Sequence, residues 1–173
     1  MKKILLLLIF SQIIAQEALN ETIVFESRNP FSFEEVITDL DNQETQIVTG
    51  ILGFPADFDT EKKYPLIVGV AGSLNWGPHH LKYLEQIRLA DFIVFAMHPF
   101  DSRNVKSTVG NQINVTSETV IYDMAMSLNL LWEDPRIDNQ KIYAAGWSLG
   151  GTATLFNAWL PLQKELNLSL IHI

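Results

Sequence analysis

Apolar residues fall into two rhythms along the chain. The first is a set of short continuous runs. "LIVGVAG" at 66–72 is bounded by Pro65 and Gly72. An apolar run held between turn signals predicts a strand buried on both faces of a parallel sheet. "FIVFAMHP" at 92–99 and "KIYAAG" at 141–146 repeat the pattern. Upstream, "ETIVFES" at 21–27 and "ETQIVTGILGFP" at 44–55 have the β-branched and aromatic content of two earlier strands, the second closed by Pro55. The polar, turn-rich "ADFDTEKKYP" separates them from the first buried run.

The second rhythm is helical. In "SETVIYDMAMSLNLLWEDP", residues Val120, Ile121, Met124, Ala125, Leu128, Leu131 and Trp132 recur at the spacing of one helix face. Thr116 or Ser117 can cap its start, Glu118 suits the positive end of the helix dipole, and Pro135 ends it. Shorter helices are predicted over "HHLKYLEQIRLA" and over "LGGTATLFNAWL" before Pro161. Strands alternating with helices predict an α/β architecture: a mostly parallel, doubly wound sheet flanked by helices. With no repeat and no low-complexity linker, one domain is expected over 16–167.

The ends read differently. "MKKILLLLIFSQIIAQ" sets two lysines before an apolar run too short to span a bilayer comfortably, with Ala15 at the expected cut. Residues 1–15 are therefore expected to be a signal peptide, giving a periplasmic or secreted protein with no stable membrane association after cleavage. The last six residues, "LSLIHI", lack the composition of the strand that should follow the third helix, so 168–173 are expected to be a non-native tail.

Composition narrows the function. The 173 residues are 47% hydrophobic and 18% charged, as in an ordinary globular domain, and the formal net charge is -8. The only paired basic residues are Lys2-Lys3 and Lys62-Lys63, so nucleic acid is not an expected partner. There is no cysteine, so the fold must rest on its core without disulfides.

"KIYAAGWSLGG" carries the chemistry. G-x-S-x-G between a predicted strand and a predicted helix is the pattern of a nucleophile elbow, which lifts Ser148 onto a strained turn. Gly146 and Gly150 are required because strand and helix pass closely there. A serine hydroxyl needs a base to take its proton and N–H donors for the oxyanion. One donor is the N–H of Leu149, at the positive end of the following helix. The other should come from the glycine-rich turn "AGSLNWGP", with the N–H of Ser73 first and that of Leu74 second.

"GFPAD", "LIVGVAGS", "HPFDSRNVKST", "DPRID" and "GWSLGG" together resemble the dienelactone hydrolase family of α/β-hydrolases, its exported members in particular, over nearly the whole chain after the leader. The resemblance implies the α/β-hydrolase fold and hydrolysis of a small-molecule ester or lactone, with neither metal nor organic cofactor. Two departures stand out. Ala71-Gly72 occupies the place where many relatives have histidine-glycine, and Ser148 stands where the enzyme that gives the family its name has cysteine. Arg103 matches a loop arginine common in relatives, which implies either a clamp on a substrate carboxylate or an ion pair holding the loop.

Other residues bear on the same chemistry. His98 closes a predicted strand at its carboxyl end, where α/β sheets bind ligands, and is a candidate substrate contact; as the base it is out of chain order. His79 and His80 are adjacent, are expected to point apart in a solvated loop, and make a poor metal pair. Asp123 lies within a helix and reads as a packing or surface carboxylate. The triad order Ser, acid, His leaves the acid and base to be expected beyond the chain given, which is then a C-terminally truncated hydrolase without full activity. Two rivals are a serine peptidase of the same fold and a binding protein that keeps the fold without catalysis.

Overall fold

The computed structural model describes residues 19–166, so the expected leader at 1–15 and tail at 168–173 lie outside the described residues. Five strands form one sheet in the order β1-β2-β4-β3-β5. They are β1 (Asn20–Ser27), β2 (Gln46–Gly53), β3 (Tyr64–Val70), β4 (Ile93–His98) and β5 (Ile137–Gly146). β2 runs antiparallel to both β1 and β4, while β3 is parallel to β4 and to β5. Four strands therefore share one direction and β2 alone is reversed, which is the mostly parallel sheet expected.

Alternation along the central strands sorts side chains to two faces. Leu66, Val68 and Val70 of β3 and Ile93, Phe95 and Met97 of β4 enter the main core, which is closed by Val120, Ile121, Met124, Leu128 and Leu131 of helix α3 (Ser117–Trp132). Val94, Ala96 and Ile67 point the other way, onto Leu84 and Ile87 of helix α2 (Pro78–Arg88). Helices thus cover both faces, as a doubly wound sheet requires. The Thr116 side chain caps α3 by accepting from the Thr119 N–H. A short helix α1 (Phe33–Thr38), capped by Ser32, was not anticipated because its six residues are too few to display a period.

Two expectations need correction. The third predicted helix, α4 (Leu149–Asn157), ends three residues early, and an unanticipated short helix, α5 (Leu160–Glu165), follows with Pro161 in its first turn, where the missing N–H costs nothing. "KIYAAG" is not buried on both faces: Tyr143 and Ala144 are exposed, because β5 is the edge of the sheet and has no neighbour beyond it among the described residues. "DPRID" is structural. Asp134 and Glu21 both pair with Arg136, whose guanidinium lies 4.8 Å from the Phe54 ring centre, and the Arg136 carbonyl accepts from the Tyr64 N–H.

Candidate active site

β5 ends at Gly146 and α4 starts at Leu149, so only Trp147 and Ser148 make the turn between them. Ser148 has φ 52° and ψ -114°, a conformation few L-residues adopt, and its side chain is exposed at the carboxyl end of the sheet. The sequence enforces this. A Cβ on Gly146 would collide with the carbonyl of Gly150, and one on Gly150 with the carbonyl of Val70. Only glycine at both positions lets the start of α4 lie across the ends of β3 and β5. Trp147 is anchored by its N–H on the Val70 carbonyl at 3.1 Å, and its side chain packs on the α2 face against Trp76 and His80.

The turn after β3 lies against this elbow. A Cβ on Gly72 would stand 2.9 Å from the Trp147 carbonyl oxygen and 3.3 Å from the Ser148 Cβ, so Ser73 directly follows a point of contact with the nucleophile turn. Gly72 and Asn75 close the turn through a 2.8 Å bond from the Asn75 N–H to the Gly72 carbonyl, with Asn75 at φ 65°. The N–H groups of Ser73 and of Leu149 have no acceptor among the described residues. Leu149 opens α4, where the helix dipole adds positive potential.

His98 closes β4 and pairs through Nδ1 with Asp101 Oδ2 at 2.9 Å. It makes no hydrogen bond to Ser148; the Trp76 ring packs against both His98 and Trp147. The two other histidines among the described residues differ from expectation. His79 and His80 lie in the first turn of α2, not in a loop, and their ring centres are 3.8 Å apart. His80 is buried and accepts the Gly77 N–H on Nδ1, capping the helix; burial, aided by the neighbouring His79, holds its pKa below the usual histidine value.

Arg103 as a substrate clamp is corrected by its hydrogen bonds. Its guanidinium is buried and grips the carboxylate of Asp123 with Nη1 at 2.7 Å and Nη2 at 2.9 Å. The remaining N–H groups go to Asn29 Oδ1 and the carbonyls of Pro99 and Arg28. All five donors are thus engaged within the protein, leaving none for a substrate. Asp123 is fully buried in α3 and also accepts the Ser27 hydroxyl. Burial pushes its carboxyl pKa up, and Arg103 and Ser27 pull it back. The loop arginine is therefore an ion pair that ties the β4–α3 connection to α3 and to the end of β1.

Sequence reasoning missed the residues that hold the turn after β3. The Ser73 carbonyl accepts both the Thr108 N–H at 2.8 Å and the Ser107 hydroxyl at 2.9 Å, and the Asn75 side chain donates to Asp101 at 2.9 Å. The one signal available was Asn75 itself, since asparagine tolerates the left-handed conformation that such turns need.

No family model matches the chain, and no curated protein matches it. Solved structures do. A protein described as a dipeptidyl aminopeptidase IV from Bacteroides ovatus is 21% identical with a TM-score of 0.55, the match covering 83% of this chain and 20% of that one. One described as m3DLH is 16% identical with a TM-score of 0.52, over 78% of this chain and 52% of that one. A Klebsiella pneumoniae protein described as a dienelactone hydrolase is 12% identical with a TM-score of 0.49, over 76% and 52%. The match spans about half the length of m3DLH and of the Klebsiella pneumoniae protein, and a fifth of the Bacteroides ovatus one. It has the α/β-hydrolase fold, which it shares with the m3DLH and Bacteroides ovatus structures.

Proposed function

We propose that this chain carries the nucleophile and oxyanion elements of a serine hydrolase that cleaves a small-molecule carboxylic ester or lactone. The observation that carries the reading is the strained, exposed Ser148 between β5 and α4, with the turn after β3 packed against it. Strain of this kind persists only where the surroundings impose it, and it gathers at functional sites.

In this reading the Ser148 Oγ attacks the substrate carbonyl carbon as its proton passes to a base. The carbonyl oxygen becomes an oxyanion that accepts from the N–H groups of Leu149 and Ser73. Collapse of the tetrahedral intermediate expels the alkoxide, which takes up the proton, and leaves an acyl-enzyme that water hydrolyses by the reverse sequence. Among the described residues the Ser148 carbonyl accepts the Thr152 N–H and its hydroxyl has no hydrogen-bond partner, so no base is assigned among them. The activity is that of the whole protein, and the leader makes it an exported one; intact-mass measurement of the exported protein should show a mature chain beginning at Gln16.

A fluorophosphonate probe tests the reading, because it labels only an activated serine. Protein expressed from its complete reading frame should be labelled, and its Ser148→Ala form should not. Equal labelling of both, or of neither, contradicts it.

A further inference from the structure

The two oxyanion donors considered for the turn after β3 belong to successive peptides, and each peptide is fixed through its carbonyl. The Ser73 N–H belongs to the Gly72–Ser73 peptide, whose carbonyl accepts from the Asn75 N–H at 2.8 Å. The Leu74 N–H belongs to the next peptide, whose carbonyl is held by Thr108 and Ser107. Because C=O and N–H point in opposite directions across a trans peptide, fixing one aims the other.

The first of these anchors depends on Asn75 staying left-handed at φ 65°. Its side chain is held at both ends. Nδ2 donates to Asp101 Oδ1 at 2.9 Å, and Oδ1 accepts the Trp76 N–H at 2.8 Å. Asp101 lies just after β4, in a 3-10 turn over Asp101–Arg103, and its second oxygen pairs with His98 Nδ1 at 2.9 Å. A carboxylate at the end of one central strand therefore holds the turn at the end of its neighbour. Asp101 is more than half exposed and packs in neither core cluster, so the contacts it makes are directed at the turn and at His98.

We propose that Asp101 is a positioning residue for acyl transfer: through Asn75 it sets the Gly72–Ser73 peptide so that the Ser73 N–H faces the oxyanion formed at Ser148. His98 acts one step further back, orienting the Asp101 carboxylate. The inference rests on the serine hydrolase reading above.

The test uses the protein from its complete reading frame and p-nitrophenyl butyrate. A displacement of about 1 Å in a catalytic arrangement can lower the rate about 100-fold. Asp101→Ala should lower kcat about 10- to 100-fold with KM unchanged, because the donor acts on the transition state and not on the bound ester. Asp101→Asn keeps an oxygen to accept from Asn75 and should restore most of that loss. Asn75→Gly permits the left-handed backbone but removes the side chain that holds it there, and should match Asp101→Ala; it also serves as the independent variant if Asp101→Ala does not fold. The double variant should be no slower than either single, since both break one link. Unchanged kcat in Asp101→Ala and Asn75→Gly, or losses that multiply in the double variant, overturn the inference while leaving the hydrolase reading intact. Wild-type protein without Ser148-dependent turnover overturns that reading, and this inference with it.

Discussion

Ser148 combines a strained backbone with an exposed hydroxyl, and the strain is the part that can be measured without a substrate. A residue held at φ 52° costs about 1–3 kcal/mol, whereas glycine adopts such a conformation freely. Ser148→Gly should therefore unfold at higher denaturant than Ser148→Ala, although glycine is ordinarily the less stabilising of the two; the reverse order speaks against strain at the elbow. Gly150→Ala tests the other half of the turn. Its Cβ would meet the Val70 carbonyl, a backbone group that cannot swing aside, so a loss near the upper end of about 1–3 kcal/mol is expected in the same measurement. Ser148, Gly146 and Gly150 were legible in the sequence because the elbow is local: five consecutive residues specify the turn. The holders of the neighbouring turn were not, because Asp101, Ser107 and Thr108 meet Ser73 and Asn75 across roughly thirty residues of chain, a separation that no motif spacing encodes.

Among the elements, α3 is both the most legible and the most heavily anchored. Its long apolar period, Thr116 cap and closing Pro135 fixed its extent to within a few residues, yet the role of Asp123 on its buried face could not be read from the pattern. The reason is that its partner Arg103 arrives from the β4–α3 connection and Ser27 from the end of β1. Arg103→Met should cost about 3–5 kcal/mol at pH 7 by leaving a buried carboxylate unpaired. Burial raises the Asp123 pKa in the fold above its unfolded value, and removing Arg103 strengthens that shift. Such a group is neutral in both states at low pH and is penalised as pH rises toward its folded pKa. The stability gap between Arg103→Met and wild type should therefore narrow as pH falls through the carboxylate range, as read from urea midpoints. A gap independent of pH speaks against an unpaired Asp123 as its cause.

The sheet of the described residues was legible in outline: five strands, mostly parallel, with helices on both faces. Buried strands were recognisable because both faces are apolar, but "KIYAAG" has the same composition at the edge, and composition alone does not say whether a neighbour is present. Along that edge Tyr143 is 51% exposed, and nearby on α4 and after it Leu155 is 74%, Trp159 52% and Leu160 64% exposed. An unpaired apolar edge is a template for pairing with another chain. Residues 19–166 expressed alone should therefore self-associate in light scattering, and Tyr143→Lys should reduce the association; a clean monomer without that substitution contradicts the assignment of β5 as an open edge. The central claim is catalytic, and turnover of a p-nitrophenyl ester by the protein from its complete reading frame tests it most directly. Replacing one member of a unit built around a nucleophile costs on the order of a millionfold in kcat, so Ser148→Ala should fall to the background rate, whereas wild-type turnover in Ser148→Ala would contradict the account.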